Sequence, residues 1–442
     1  MKLNSTVLKR IWSYSKLVQT HVTMNEMCYF SSQKNQNNLL VLTNGSQFLI
    51  REFKIRFSHR IKELDALPYG LNQQKDIIKV RNWYIKSFQD LCDFETHSIA
   101  YKELKRVTQL LPKSPEKITL EENNKYYNPT EELIEEGRKN SLINFNRSLL
   151  NLFYKLRERH QTTVINVAKG LLKWKTNDLI INSNNIYNDK NIFLIKKHLD
   201  NFYFHRIGIK ILLDHHISLL ETEFSKEAIV NNMYDYNDEK YVGIVCTNTD
   251  IPKLAKQAIE NAQYIVKHHY DLLETPPVEL ILVNNTNKVP FVYIPAHLIH
   301  VLFEILKNAL RAIVEFKLSK EPNNKYIEFD IPNETVKVII SYGKEDIVLK
   351  ICDKGGGIPR SMLKYITTYL YTTMPQSVQE NLLLKPPNNE INEESLSVNT
   401  PMAGLGYGLA LSTLYAKYFG GNLKVMSVEG YGTDVYLYLK RH

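Results

Sequence analysis

Apolar residues recur at helical spacing through the first half of the chain. Phe53, Phe57, Ile61 and Leu64 follow one another at intervals of three or four positions, which places them on one face of an α-helix. A helix with one apolar face has to bury it, and several such helices do so by packing together. We therefore predict a bundle of four main helices, at about residues 47–67, Ile77–Phe94, Glu131–Trp174 and Ile192–Glu223.

β-Branched and aromatic runs replace this pattern beyond Tyr234–Asp238. Such runs, mixed with shorter helical segments, are typical of a domain built on one sheet. The fold class is therefore predicted as α+β, with a helical domain over residues 13–234 and a sheet-containing domain over residues 235–442. The predicted strands are Tyr241–Cys246, Val278–Val283, Val336–Tyr342, Ile347–Cys352, Leu423–Ser427 and Asp434–Leu439, and two polar segments, Leu111–Thr130 and Pro375–Ala403, are predicted to be loops.

Composition and charge exclude several classes of protein. Hydrophobic residues make up 43% of the 442 positions, and no run approaches the roughly 18 apolar residues of a membrane-spanning helix. The net charge of +9 comes from basic residues scattered among acidic ones, which favours an acidic protein partner over nucleic acid. Four widely separated cysteines fit a reducing compartment. Residues 1–12 are basic and contain no acidic residue, which is equally typical of an organelle-targeting segment and of a short basic tail.

Candidate chemistry begins in His300–Glu315, which reads as an amphipathic helix. Glu304, Asn308 and Arg311 lie on one helical face, and Lys307 lies beside them. A phosphate site needs a carboxylate to deprotonate or orient a hydroxyl, a carboxamide oxygen for Mg²⁺, and cations for phosphate charge. Taken alone, an amphipathic surface helix with a few ion pairs explains the pattern better.

A second motif places Asp353 at the end of an apolar strand, followed by three glycines that include Gly355 and Gly357. A carboxylate in that position can accept a hydrogen bond from an adenine amino group. Glycines allow the backbone to approach the base closely. The motif is weak in isolation, because turns after strands often contain Asp and Gly.

A third motif, Gly404-Leu405-Gly406-Tyr407-Gly408-Leu409, opens a helix that runs to Phe419. Glycine turns before helices expose N–H groups to phosphates. A dinucleotide-binding turn is the alternative, but a long polar loop precedes the motif where that fold requires a strand. A fourth motif, Glu429–Asp434, is a tight turn into the last strand and puts Thr433 near the base.

The order of these four motifs resembles the superfamily of gyrase, heat-shock chaperone, histidine kinase and mismatch-repair ATPases. The resemblance implies an α/β sandwich of the Bergerat fold that binds ATP with Mg²⁺, the latter on Asn308. It also implies that about residues 375–403 form a lid over the nucleotide.

Longer segments narrow the resemblance to the mitochondrial pyruvate and branched-chain 2-oxo-acid dehydrogenase kinases. Tyr293–Ala312 and Gly404–Gly421 look like this family's nucleotide site, and Leu370–Pro375 looks like the stretch before its lid, with Thr372 and Thr373 at the nucleotide. Segments 83–87, 157–160 and 205–210 match its helical domain. There the resemblance implies a keto-acid effector pocket formed by Tyr84, Ser87, Arg157, His160, Arg206 and Lys210.

The family resemblance implies a function, partners and a location. The expected protein is a homodimeric serine kinase of the mitochondrial matrix that inactivates the E1α subunit of the pyruvate complex, with the branched-chain complex as the alternative substrate. Glu304 is the expected base. Lys210 stands where relatives carry arginine, so weaker inhibition by dichloroacetate is expected. The sequence ends at His442, where relatives extend into a tail that grips the lipoyl domain of the E2 core, so weak lipoyl-domain binding is expected.

Three rival interpretations fit the sequence less well. A histidine kinase needs a histidine followed directly by an acidic residue, whereas His160 precedes Gln161 and His216 precedes Ile217. A clamp-type ATPase does not account for the helical-half segments. A pseudokinase is disfavoured, because Glu304, Asn308, Asp353 and the glycine motifs are all present.

Overall fold

The computed structural model describes residues 5–32, 38–107, 136–176, 189–224, 240–283, 290–320, 329–330, 333–369, 371 and 406–441. The predicted loops Leu111–Thr130 and Pro375–Ala403 lie outside these residues. The chain divides into two compact units: the first is Met1–Thr163 with His205–Cys246, and the second is Val164–Phe204 with Thr247–His442. Among the helices of the described residues, none is long and apolar enough to cross a bilayer.

Two of the four predicted helices, Ile77–Phe94 and Ile192–Glu223, begin and end close to the predicted positions. The helix predicted at about residues 47–67 begins earlier, at Asn38, and ends at Asp65. Segment Glu131–Trp174, predicted as one helix, is two helices in the structure, because the chain turns at Gln161 and Thr162. The helices are α1 (Ser5–Tyr14), α2 (Met24–Ser32), α3 (Asn38–Asp65), α4 (Lys75–His97), α5 (Ile99–Val107), α6 (Glu136–His160), α7 (Thr163–Thr176) and α8 (Asp189–Phe224), with a short 3₁₀ helix at Leu71–Gln73. Residues 189–204 of α8 belong to the second unit and residues 205–224 to the first.

The core of the first unit combines aromatic packing with a buried polar network. Phe53 on α3 stacks on Phe57 and meets the Phe153 ring of α6 edge to face, with centroids 5.6 Å apart. The Ser46 hydroxyl lies 2.7 Å from Asn146 Oδ1 and 2.8 Å from His216 Nε2, so it joins α3, α6 and α8. Because buried polar groups are costly unless hydrogen-bonded, this network fixes how the helices meet.

Tyr241–Cys246, predicted as a strand of the main sheet, forms a separate hairpin in the first unit. Its strands β1 (Tyr241–Val242) and β2 (Val245–Cys246) pair antiparallel around a two-residue turn. Gly243 adopts φ +56° at this turn, a conformation that glycine takes without steric cost. The apolar run is therefore divided by the turn rather than extended.

The second unit is built on a five-stranded mixed sheet with helices packed on one face. The sheet order is β3-β4-β5-β7-β6, with β3 and β4 parallel and the other pairs antiparallel. Side chains on β5 alternate between buried and half-exposed positions, as expected for a sheet with one face against a helical layer. The predicted α+β class is confirmed. The elements are β3 (Val278–Val283), β4 (Val336–Tyr342), β5 (Asp346–Asp353), β6 (Asn422–Val428), β7 (Gly432–Lys440), α9 (Ile251–Tyr270), α10 (Pro295–Lys320) and α11 (Gly408–Tyr418).

Candidate active site

Helix α10 carries the polar stripe that the sequence predicts. Its apolar face, including Leu302, Leu306 and Leu310, is fully buried, which fixes the rotation of the helix and so the direction of the stripe. Asn308 on the stripe is exposed to solvent. Its carboxamide oxygen is therefore accessible to a ligand.

Lys307 and Arg311 are paired with carboxylates on the same helix. Lys307 Nζ lies 2.8 Å from Glu304 Oε1 and above the Phe303 ring. The side chains of Glu304 and Lys307 are only 15% and 5% exposed, so the pair is largely shielded from screening by solvent. Arg311 Nε donates to Glu315 at 2.7 Å. Lys307 thus orients the Glu304 carboxylate.

Asp353 ends strand β5 and is almost completely buried. Its Oδ1 accepts hydrogen bonds from the backbone N–H of Gly355 at 2.9 Å and of Thr433 at 3.2 Å. Burial raises the pKa of Asp353 to about 6, although both N–H donors favour the ionised form. Both bonds go to Oδ1, which leaves Oδ2 as the atom for a donor on a ligand.

The Thr433 hydroxyl is fixed by Ser427, a residue that the sequence analysis missed. Ser427 Oγ lies 2.9 Å from Thr433 Oγ1, accepts from the Ile358 N–H at 2.8 Å and donates to the Gly432 carbonyl at 3.1 Å. Ser427 and Thr433 face each other across β6 and β7. Ser427 is recognised as a partner of Thr433 from this strand register, because it belongs to no local sequence motif.

The glycines after Asp353 are needed for close backbone packing. A Cβ on Gly355 would lie 2.5 Å from the Ala312 Cβ of α10, and one on Gly357 would lie 2.0 Å from the Val428 carbonyl oxygen. Gly357 also has φ +68°, which side-chain-bearing residues rarely adopt. The Asp353 loop is therefore held against both α10 and the β6–β7 turn.

The described part of the third motif places a helix N-terminus beside Glu304. Gly406 has φ +80° and Tyr407 is buried. Gly408 and Leu409 begin α11, and a Cβ on Gly408 would lie 2.1 Å from Glu304 Oε2. The predicted site residues Thr372, Thr373, Gly404 and Leu405 lie outside the described residues.

The residues present fit a nucleotide with a divalent cation. The start of α11 offers N–H groups and a partial positive charge for phosphates, and Gly408 leaves this end of the helix without a side chain beside Glu304. The Glu304 carboxylate therefore lies next to a helix end that could bind phosphates. Asp353 offers a fixed acceptor at the end of β5, and the exposed Asn308 offers an oxygen for Mg²⁺.

The predicted effector residues of the first unit come together only in part. The Tyr84 and His160 rings lie 4.4 Å apart, Ser87 Oγ lies 2.9 Å from His160 Nε2, and Arg206 Nη2 donates to the His160 carbonyl at 3.2 Å. The Arg157 guanidinium instead lies over the Tyr154 ring. Lys210 Nζ lies 3.8 Å from Asp214 Oδ2.

Charged residues that the sequence analysis missed surround this effector cluster. Arg159 donates to Ser87 Oγ at 2.8 Å and to Asp90 at 2.6 Å, and the fully buried Arg60 pairs with Glu63 at 2.6 Å. Burial lowers the pKa of Arg60 to about 10. Burial first, and then the charges of Arg206 and Arg159, lower the pKa of His160 to about 3, so His160 is neutral near pH 7.

Comparisons with known proteins identify the class of the second unit first. A profile described as "Histidine kinase-, DNA gyrase B-, and HSP90-like ATPase" matches residues 293–442, which include α10, Asp353 and the start of α11. The chain therefore contains an ATP-binding domain of this superfamily.

The family of the chain is identified from a profile that matches its first half and from relatives that match nearly its whole length. A profile described as "Mitochondrial branched-chain alpha-ketoacid dehydrogenase kinase" matches residues 21–246. The pyruvate dehydrogenase (acetyl-transferring) kinase of Schizosaccharomyces pombe is 30% identical, covering 99% of this chain and 97% of that protein. The Arabidopsis thaliana enzyme is 29% identical, with 99% and 94% covered. Isozyme 4 of Homo sapiens is 30% identical, with 98% and 84% covered.

The chain belongs to the family of mitochondrial pyruvate and branched-chain 2-oxo-acid dehydrogenase kinases. The resemblance inferred from the motifs is confirmed, and so is the prediction of an ATP-dependent protein kinase. The family profile covers the helical half, which the clamp-type ATPase interpretation left unexplained.

Proposed function

We propose that this protein transfers the γ-phosphoryl group of ATP to a serine of the E1α subunit of the pyruvate dehydrogenase complex in the mitochondrial matrix, and thereby inactivates the complex. The observation that carries the chemistry is the Glu304 carboxylate lying against Gly408 at the start of α11. The relatives named as pyruvate dehydrogenase kinases support the substrate. The branched-chain complex is a second candidate, because the profile over residues 21–246 carries that name.

Each part of the reaction has a candidate residue. Glu304 takes the proton of the serine hydroxyl as the serine oxygen bonds to phosphorus and the bond to the ADP oxygen breaks. Lys307 holds the Glu304 carboxylate through its 2.8 Å contact. Asn308 would hold Mg²⁺, which neutralises phosphate charge when bound. Arg311 adds a nearby cation.

Nucleotide binding has its own set of residues. Asp353 accepts from the adenine amino group, with Thr433 beside it. Gly355 and Gly357 let the backbone reach the base, and the motif at 404–409 faces the phosphates. Thr372 and Thr373 are proposed at the nucleotide from the family resemblance alone.

The direct experiment is ³²P transfer from ATP to each purified complex. We expect labelling of E1α in the pyruvate complex by the wild-type protein. Glu304→Gln should still bind ATP in calorimetry and lose about 10²- to 10⁴-fold in rate, the usual range of general-base catalysis. Glu260→Gln, an exposed position on α9, is the matched control. Labelling of the branched-chain complex alone would reassign the substrate, and labelling of neither would refute the proposal.

A keto-acid effector site in the first unit is a second function that a specific observation favours. Tyr84, Ser87, His160 and Arg206 converge. The Arg206 side chain is buried and donates a hydrogen bond to the His160 carbonyl, and its guanidinium charge is proposed to attract a carboxylate. Dichloroacetate should inhibit the wild-type kinase at millimolar concentration.

Two arginine variants test which residues form the pocket, because the family resemblance includes both Arg157 and Arg206 whereas the geometry favours Arg206 alone. Arg206→Gln should abolish inhibition by dichloroacetate. Arg157→Gln should leave inhibition intact, because the Arg157 side chain lies over Tyr154. Equal loss in both variants would restore Arg157 to the pocket, and inhibition unchanged in Arg206→Gln would remove the pocket from this site.

A homodimer is proposed through the sheet of the second unit, and the lipoyl domain of the E2 core is proposed as a further partner. On the sheet face that alternates with the buried one, Lys350, Tyr436 and Tyr438 are half-exposed and Met426 is 61% exposed. Mixed aromatic, apolar and charged side chains of this kind suit a self-complementary interface. Sedimentation should give a dimer that Tyr436→Glu weakens, and an unchanged dimer in that variant would place the interface elsewhere.

A further inference from the structure

Three buried tyrosines of the second unit pack together next to the phosphate-binding turn. Tyr203 comes from α8, Tyr369 from the segment after β5, and Tyr407 from the residue before α11. Their ring centroids lie 5.3 Å apart for Tyr203 and Tyr369, 4.9 Å for Tyr369 and Tyr407, and 5.9 Å for Tyr203 and Tyr407. All three side chains are less than a tenth exposed. The first two pairs are tilted and the third is edge to face, so each ring restricts the other two.

Asp200 on α8 fixes this tyrosine cluster by a hydrogen bond. The Tyr369 hydroxyl donates to Asp200 Oδ1 at 2.7 Å. Burial first, and then the charge of Asp200, raise the pKa of Tyr369 well above its ordinary value, so the hydroxyl remains a donor at all physiological pH values. Lys196 pairs with the other oxygen, Asp200 Oδ2. The two oxygens of the Asp200 carboxylate therefore have separate partners.

Tyr407 connects this tyrosine cluster to the glycine turn. It lies between Gly406 and Gly408, and its carbonyl accepts the Leu411 N–H at 2.9 Å at the start of α11. Glycines have no side chain to anchor them and are the most flexible positions of a chain. The buried Tyr407 ring is therefore what fixes the described part of this turn, and Gly408 is the residue that lies against Glu304.

We propose that Asp200 and Tyr369 are positioning residues for phosphoryl transfer: their hydrogen bond holds Tyr369 against Tyr407, and Tyr407 sets the start of α11 against the Glu304 carboxylate. Neither residue touches the reacting atoms. Their effect is on the alignment of the phosphate-binding N–H groups with the base. Because displacement of a reacting group by about 1 Å can cost as much as about a hundredfold in rate, a small rotation of the Tyr369 ring has a measurable consequence.

The test compares variants that remove this bond with variants that remove similar bonds nearby. Tyr369→Phe deletes one oxygen and keeps the ring, and Asp200→Ala deletes the acceptor. Each should lower kcat/KM for ATP by about tenfold, with KM for ATP raised and KM for the protein substrate unchanged. The double variant should lose no more than either single variant, because both remove the same interaction. Asp200→Asn keeps an acceptor oxygen and should recover most of the activity.

Two matched controls remove a similar polar contact but leave the hydrogen bond between Asp200 and Tyr369 intact. Tyr365→Phe removes a Tyr–Asp hydrogen bond from the same segment to the first residue of α8, Asp189. Lys196→Gln removes the ion pair to Asp200 and leaves the Tyr369 bond in place. Both controls should stay within about twofold of the wild-type kcat/KM, the scale of an exposed ion pair or surface change. An equal loss in Tyr365→Phe, an additive double variant, or unchanged kinetics in Tyr369→Phe would overturn the inference.

This inference rests on the proposed roles of Glu304 and the α11 turn. A second measurement distinguishes failure of the positioning role from failure of the proposed function. Calorimetric binding of an unreactive ATP analogue needs no protein substrate. Weaker binding in Tyr369→Phe and Asp200→Ala, with normal unfolding curves, supports positioning even if the chosen complex is not the substrate. If the wild-type protein labels the complex and every variant binds nucleotide and turns over normally, the proposed function stands and the positioning role is refuted.

Discussion

Glu304 Oε2 and the Cα of Gly408 are so close that any side chain at position 408 would displace the carboxylate, since a Cβ there would lie 2.1 Å from Oε2. The Glu304 carboxylate is the end of a flexible side chain, so it can rotate away from Gly408 without a shift of the helix backbone, at the cost of its ion pair with Lys307. We predict that Gly408→Ala folds normally, because alanine favours a helix, but loses about a hundredfold in kcat through displacement of the base.

Steady-state kinetics beside thermal unfolding check this prediction for Gly408→Ala. Thr413→Ala makes a comparable change in helix propensity on the same helix, where the Thr413 hydroxyl bonds only to the Leu409 carbonyl among the contacts of the described residues. That control should keep its activity. A Gly408→Ala protein with near wild-type kcat would show that the carboxylate position at this helix end does not matter.

Asp353 should make ATP affinity depend on pH. The carboxyl pKa is raised to about 6 by burial, so the group is charged and accepts a hydrogen bond above this pH and becomes neutral below it. Affinity should therefore fall as pH decreases through about 6, by up to the ~1.5–3 kcal/mol of a charged hydrogen bond. Binding of ATP measured from about pH 5 to about pH 8 tests the direction.

The phosphates of ATP also titrate in this range, so the comparison with Asp353→Asn is decisive. The variant keeps an acceptor oxygen but has no carboxyl proton, and its pH profile should contain the phosphate contribution alone. The difference between the two profiles belongs to Asp353. Identical profiles would place the adenine contact on another residue.

Ser427 should support adenine binding through Thr433 although it lies outside every motif. Ser427→Ala removes the three hydrogen bonds that hold the Thr433 hydroxyl, the Ile358 N–H and the β7 turn. We expect ATP affinity to fall by several-fold, on the order of 1 kcal/mol, the net contribution of one such bond. Ser319→Ala, at an exposed hydroxyl on α10, is the control in calorimetry. A normal affinity in Ser427→Ala would mean that the Thr433 hydroxyl needs no support.

Sequence was sufficient for those features that depend on local pattern. The stripe on α10 followed from helical periodicity, and the position of Asp353 followed from an apolar run that stops at an acid. Both are encoded within a few residues. The glycine turns could be recognised for the same reason, because a left-handed conformation such as that of Gly406 requires a residue without Cβ.

Features that depend on topology could not be predicted in this way. The bond between Asp200 and Tyr369 joins residues 169 positions apart, and only the fold brings them together. The segment resemblance names Arg157 for the effector pocket, but residues two apart on a helix point in nearly opposite directions, and it is Arg159 that contacts Ser87. Tyr241–Cys246 has the composition of a strand, but Gly243 permits a turn that competes with it.

Three buried histidines should make the first unit sensitive to mild acid. Burial lowers the pKa of His160 and His216 to about 3 and that of His215 to about 4, so the folded protein keeps them neutral, whereas the unfolded chain binds protons below about pH 6.5. Since the unfolded state then binds more protons, the free energy of unfolding falls as pH decreases from about 6.5 toward 4, by up to ~1.4 kcal/mol per pH unit for each histidine. The raised pKa values of Asp353 and Glu63 act in the opposite direction, so the informative quantity is a difference between variants.

His215→Gln removes one of these histidines without touching the Ser46 bond of His216. Between about pH 7.5 and about pH 5.5, the unfolding free energy of this variant should fall less than that of the wild type, by roughly 1 kcal/mol. His268→Gln changes an exposed histidine and should reproduce the wild-type pH dependence. Urea unfolding followed by circular dichroism measures both, and a His215→Gln protein with the same acid sensitivity as the wild type would contradict a neutral, buried His215.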